Sequence, residues 1–196
     1  AREDIAFMPT IPQMKVLVPA DSASAAAAFD IALDTPGPVF TRLMRDPLYE
    51  LYSADETFEL GGSKVVRQGK DVTIATYGDM VFQSLIAADE LAKQGIDAEV
   101  IDFYSIKPWD QATLAESLKK TGALVVAENH QRRNGFGYEV GIWALQNHPV
   151  PTELIGLEDT FAESGSYAIT IDKFGLSGSK IAKKTAALLA KRKGKQ

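Results

Sequence analysis

The 196-residue chain contains no cysteine. That excludes disulfides, thiolate nucleophiles and cysteine metal sites together, and it fits a reducing, cytoplasmic setting. Histidine is nearly as scarce. His130 and His148 are the two in the chain, without His-x-x-x-His spacing, so a histidine-rich metal site has no support. No apolar run approaches the ~20 residues that a membrane-spanning helix needs, and no signal-peptide pattern opens the chain. No phosphate loop, nucleophile elbow or Ser-His-Asp order is visible. Gly135-Phe136-Gly137 comes near a dinucleotide fingerprint, but Val140 stands where the third glycine is required. Close backbone packing at a helix start accounts better for these glycines.

The composition that remains is that of a soluble globular protein, 45% hydrophobic and 24% charged. The length suggests one to two domains, able to bury roughly 70% of the unfolded surface without a metal or crosslink. The net charge of −5 hides an asymmetry, because residues 180–196 carry seven Lys or Arg and no acid. A basic run of this kind matches a helix C-terminus, where cations complement the dipole, followed by the solvated end Lys191-Arg192-Lys193-Gly194-Lys195. Neither a nucleic-acid nor a membrane partner is expected from it.

Along the chain, strands alternate with helices. The sequence opens at Ala1 inside a helical pattern, Arg2–Met8, which suggests that something upstream was removed or belongs elsewhere; Pro9 and Pro12 end it. Val16-Leu17-Val18 reads as a strand. Asp21 or Ser22 offers an N-cap for an alanine-rich helix to about Leu33, and Val39–Leu43 reads as a second strand, pairing parallel with the first. From about Asp46 to Gly62 the period is lost and acids collect, the pattern of an interdomain linker. Strands are then expected at Asp71–Tyr77, Ala98–Tyr104, Ala123–Ala127 and near Glu153–Leu157. Helices are expected after Gly78-Asp79, where Asp79 would be the N-cap and Val81, Leu85, Ala88 and Ala92 the packed face, and also at about Asp110–Lys120, Tyr138–Gln146 and Ser179–Lys191. The expected fold class is α/β, a mainly parallel doubly wound sheet preceded by a partial βαβ unit.

Few residues suggest chemistry. His148, before Pro149, reads as an exposed polar loop residue. His130 lies at the C-terminal end of a buried strand, the edge where open parallel sheets meet ligands, yet a structural or interface role suits it better than catalysis. Arg42 and Arg45 follow the strand that begins at Val39, and an arginine fork can give two hydrogen bonds to a phosphate. Ion pairing with the adjacent Asp46 explains the pair equally well.

Specific segments carry a family resemblance. Ile11-Pro12-Gln13-Met14-Lys15-Val16-Leu17-Val18-Pro19-Ala20-Asp21 resembles the IP-x-M-x-V-x-x-P-x-D segment of transketolases, and Gly37–Arg45 resembles the GP-strand-Arg segment that closes their pyrimidine-binding domain. Ala127-Glu128-Asn129-His130 with Asn134-Gly135-Phe136-Gly137 is similar to the E-x-H…GG-x-G stretch of their C-terminal domain. Asp159–Gly165, then Lys173-Phe174-Gly175-Leu176, resembles the most specific motif, D-x-F-G-E-S-G…K-Y-G-L. Ala162, Phe174 and Asn134 depart from the family pattern at positions without an obvious chemical role.

The resemblance implies residues 1–46 as the end of a pyrimidine-binding domain, 47–62 as a linker and 63–196 as the C-terminal domain. It implies a homodimeric enzyme that uses thiamine diphosphate and a divalent metal to move a two-carbon ketol unit between sugar phosphates. The cofactor-binding parts would lie in missing N-terminal domains or a separate N-terminal subunit, so no cofactor is expected on this chain alone and the isolated chain is expected to be inactive. No catalytic residue carries over. Arg45 aligns with the arginine that holds the substrate phosphate, with Arg42 as a supporting neighbour. Two other readings remain open: the equivalent subunit of a 2-oxoacid dehydrogenase or deoxyxylulose phosphate synthase, and a non-catalytic dimerisation or assembly module.

Overall fold

A computed structural model describes residues 2–45 and 49–193. Asp46, with its suggested ion pair, Pro47 and Leu48, and Gly194 and Lys195 of the basic end, lie outside the described residues.

Helix α1 (Asp4–Phe7) continues into a 3-10 turn, Met8–Thr10, that accommodates Pro9 near its start. Strand β1 (Lys15–Leu17), helix α2 (Ser22–Asp34) and strand β2 (Val39–Thr41) follow, with Lys15 opposite Val39 in a parallel pair. Asp21 is the N-cap. Its carboxylate accepts the Ser24 N–H while the Ser24 hydroxyl accepts the Asp21 N–H, a closed capping box.

The larger sheet contains β3 (Lys64–Arg67), β4 (Val72–Thr76), β5 (Ala98–Asp102), β7 (Leu124–Gln131) and β8 (Thr152–Leu157) in the order β3-β5-β4-β7-β8. All pairs are parallel except β3 with β5. The residues of β4 and β7 alternate between two cores. Ile74 and Val125 face α3 (Met80–Ala92) and α7 (Gly178–Lys193), whereas Ala75 and Val126 face α4 (Gln111–Thr121) and α5 (Phe136–Asn147). Burial on both faces explains the unbroken apolar run at Ala123–Ala127. The fold is therefore α/β with a mostly parallel, doubly wound sheet.

Several local expectations change. The stretch 98–104 is not one strand: the chain leaves the larger sheet after Asp102, and β6 (Ser105–Lys107) pairs antiparallel with β1. Phe103 still donates its N–H to Thr76 O, while Tyr104 O already accepts from Val18, so the crossing takes two residues. Strand β3 and helix α6 (Tyr167–Lys173) have no counterpart in the periodicity. On α3 the buried positions include Met80, Ser84, Ala87 and Leu91, and Ala92 is exposed. Val81 and Ala88 of the expected face are buried and Leu85 packs against the core, and cover by α7 as well as by the sheet widens the buried face beyond them.

The segment 49–62 forms neither helix nor strand, yet it is pinned throughout. Asp21 accepts the N–H groups of Leu51 and Tyr52 at 2.9 and 2.8 Å, Tyr49 stacks on Phe82, and Phe58 sits edge-on between Tyr52 and Tyr104.

The α3–α7 contact depends on a missing side chain. A Cβ on Gly178 would lie 2.5 Å from Ile86 Cγ2 and 2.9 Å from Gln83 O. Gly178→Ala is expected to lower stability by about 1–3 kcal/mol, read as a lower denaturant midpoint at unchanged slope.

Candidate functional site

The C-terminal ends of β2, β4 and β7 converge, as expected for ligand-facing edges of parallel strands. Their polar side chains are built into one network. Glu128, at the end of β7, is 1% exposed and accepts the Phe136 N–H at 3.0 Å, the Gly137 N–H at 3.1 Å and the Tyr77 hydroxyl at 2.9 Å. The N-terminus of α5, which an external phosphate would use in a dinucleotide fold, is thus filled by the chain's own carboxylate. Gly135 and Gly137 are explained by this approach, since a Cβ on Gly135 would overlap the Glu128 carboxylate. Burial pushes the Glu128 carboxyl up to about 7, against the lowering effect of these donors and of Arg42.

Asp79 is not a side-chain cap of α3. Its buried carboxylate instead accepts from Asn129 Nδ2 at 2.6 Å and from the Tyr167 hydroxyl, joining the start of α3, the end of β7 and the start of α6. Burial raises its pKa, while Arg42 and both donors oppose the shift. His130 lies one residue further on and is fully buried. Its Nδ1–H donates to Gln131 O at 2.8 Å, and burial lowers its pKa. His148 caps the C-terminus of α5 half-buried, with its ring 5.7 Å from Trp143, rather than standing exposed.

The two arginines occupy different settings. The Arg42 side chain is 9% exposed; its Nε lies 3.4 Å from Asp4 Oδ2 and its Nη2 donates to Asn129 O at 2.9 Å. It therefore ties β2 to α1 and to the end of β7. Arg45 is exposed. Both line a cavity of about 440 Å³. Arg2, Asp4 and, from the loop before α6, Glu163 and Ser164 also line it. The structure thus brings Arg42 and Arg45 beside the Asp159–Gly165 motif, residues far apart in sequence. Sequence reading missed Asp79, Glu128 and Arg2 as members of this region. The signal for Glu128 was the glycine pair seven and nine residues later, which reserves space for something bulky.

Among the described residues, no three of His, Asp and Glu are grouped to hold a metal ion. With Glu128 accepting the Phe136 and Gly137 N–H groups, the start of α5 is closed to a diphosphate group. No helix among the described residues is long and apolar enough to cross a membrane.

Fold and site together define an α/β protein with a mostly parallel sheet whose strand ends meet at a cavity lined by Arg2, Arg42 and Arg45. A family model described as "Transketolase, C-terminal domain" matches residues 61–181, well over half of the chain. The chain belongs to the transketolase family through that domain. It is 42% identical over 179 residues to the 6-deoxy-6-sulfo-D-fructose transketolase subunit of Clostridium sp. (strain MSTE9), spanning 91% of this chain and 56% of that protein. It is 32% identical to an apulose-4-phosphate transketolase subunit of Phocaeicola vulgatus, over 92% of this chain and 58% of the relative. A solved split-gene transketolase, described as an inactive β4 tetramer, superposes with a TM-score of 0.89 at 38% identity, over 97% of this chain and 61% of the other. The chain thus spans little more than half the length of these relatives.

Proposed function

We propose that the chain is the C-terminal part of a thiamine-diphosphate-dependent transketolase that moves a two-carbon ketol unit between sugar phosphates. Residues 1–46 are the end of its pyrimidine-binding domain, 47–62 the linker and 63–196 the C-terminal domain. The observation that carries the reading is the convergence of Arg42 and Arg45 with Glu163, Ser164 and Gly165, the end of the Asp159–Gly165 motif, around one cavity. Arg45, at the exposed rim, grips the substrate's terminal phosphate; Arg42, held by Asp4 and Asn129, sets the direction in which the chain leaves β2.

Cofactor and metal are supplied by N-terminal domains or a separate N-terminal subunit, in a homodimeric arrangement of the complete enzyme in the cytoplasm. The names of the Clostridium and Phocaeicola relatives, each a transketolase subunit, support a separate partner. The inactive tetramer of the split-gene neighbour supports a chain that is inactive alone and associates with its own copies. In this reading the carbon–carbon chemistry belongs to the missing part, and this chain positions the sugar.

In the assembled enzyme, Arg45→Ala is expected to raise KM for phosphorylated substrates tenfold or more, roughly the loss of one charge-assisted contact, and to change KM for unphosphorylated ones little. Steady-state kinetics on both substrate classes checks this; equal effects would remove the phosphate role. If no ketol transfer appears with the missing part supplied, an assembly module becomes the better reading.

A further inference from the structure

Helix α5 is apolar on both sides. Its inner side buries Phe136, Val140 and Ala144 in the core beneath it. On the opposite side Tyr138, Ile142 and Leu145 follow one another at i, i+4 and i+7, the spacing of a single helical stripe, and are 37%, 56% and 71% exposed. A surface helix normally carries polar residues on its outer side, and a helix that is apolar all round is normally covered all round. This one instead leaves an apolar stripe open to solvent.

The stripe stands between two grooves. One, of about 620 Å³, lies between α5 and β8, where Leu145, Pro149, Val150 and Leu154 line it. The other, of about 510 Å³, lies between α5 and α1 with its 3-10 turn, where Ile5, Ala6, Pro9 and Ile106 line it. Tyr138 and Ile142 line both, so the stripe is the wall that the grooves share. Strand β8 is the outermost of the larger sheet, so no further strand among the described residues flanks the first groove. The cations on the two grooves are already engaged: Arg132 lies 2.9 Å from Glu158, and Lys107 donates to Pro9 O and Ile11 O. Glu139 and Glu153 complete the charged lining.

We propose that this face of α5 is the surface through which two copies of the chain associate, the stripe of each seating in a groove of the other across a twofold axis near Ile142. A ridge between grooves is complementary to a second copy of itself, and a twofold contact requires that self-complementarity. The inference rests on the reading that the chain associates with its own copies, and it names the face. In that reading the N-terminal part that brings the cofactor reaches the arginine cavity instead, and that cavity shares no lining residue with either groove.

The test is light scattering after gel filtration of the whole chain over a range of concentrations. It compares the wild type with Ile142→Lys, Leu145→Lys and, as a control on the exposed side of α2, Leu33→Lys, each with its melting curve. The wild type is expected to self-associate. Ile142→Lys and Leu145→Lys are expected to raise the dissociation constant about tenfold or more without lowering the melting temperature, because both side chains are exposed in the single copy. Leu33→Lys should leave association intact. The absence of cysteine allows a second measurement, in which a short bismaleimide should join copies of Ile142→Cys and not of Leu33→Cys. Association unchanged in Ile142→Lys overturns the face and leaves self-association standing; if that variant then fails to assemble with the N-terminal part, that part is the occupant. Equal joining at positions 142 and 33 likewise overturns the face. A wild type that stays monomeric at every concentration overturns the inference together with the reading beneath it.

Discussion

Glu128→Ala is expected to cost about 3–5 kcal/mol of folding stability, because it removes a buried acceptor that three donors share and leaves a cavity behind. The Phe136 and Gly137 N–H groups and the Tyr77 hydroxyl lose their partner at once. Gly135 and Gly137 present no side-chain atoms that could replace it. Glu128→Gln is the milder change: the amide oxygen still accepts, but its NH2 meets donors. The wild type also carries a pH signature here. Its carboxyl stands at about 7 in the folded protein, above the ordinary glutamate value of 4.5. The folded state thus holds the proton more tightly, so this contribution is full below about pH 4.5 and is lost as pH rises through 7. Glu128→Gln should flatten stability over that window. Urea melts at pH 5 and pH 7 on both variants check the prediction, and a Glu128→Ala loss under about 1 kcal/mol would sink it.

The sequence announced those features that follow from local physics. The capping residue Asp21, the buried strand Ala123–Ala127 and the glycines at the start of α5 were all legible, because each is set by neighbours within a few residues. The break after Asp102 was not, because the stretch 98–104 holds no glycine or proline to mark a stop and only the second sheet decides where it turns. Asp79 shows the limit most clearly. A Gly-Asp pair before a helix is a sound cap signal, but Asn129 lies fifty residues away and offers its amide, and tertiary hydrogen bonding displaced the local one. The arginines were read correctly as neighbours past a strand end. That Arg42 is enclosed while Arg45 reaches the rim depends on Asp4 and on the end of β7, which sequence spacing does not bring together.

Asp102→Asn is expected to make folding stability markedly less dependent on pH between about 4 and 8. Asp102 is fully buried at the end of β5, where Oδ2 accepts the Tyr52 hydroxyl at 2.7 Å and Oδ1 has no partner among the described residues. Burial pushes its carboxyl up to about 8, and the negative charge of nearby Asp21 adds to the rise, while the Tyr52 hydrogen bond opposes it. Asp21 itself is held below the usual range by Ser24 and by the Leu51 and Tyr52 N–H groups, despite burial, so it stays ionised beside a neutral partner. The folded value lies above the unfolded 3.8, so the stabilisation is full below that pH and is lost as pH rises through about 8. The loss across the window is on the order of a few kcal/mol, given roughly 1.4 kcal/mol per unit and some relaxation of the site. Asparagine keeps an acceptor for Tyr52 and cannot ionise, so the slope should disappear. The Glu128 contribution ends near pH 7, which makes pH 7 to 8 the interval in which Asp102 can be separated from it. Parallel slopes for wild type and Asp102→Asn between pH 7 and 8 would show that the carboxyl is already ionised in the folded protein. The expected divergence would instead place a neutral acid under Tyr52, where ionisation above pH 8 loosens the hold on segment 49–62 at the join between the two sheets.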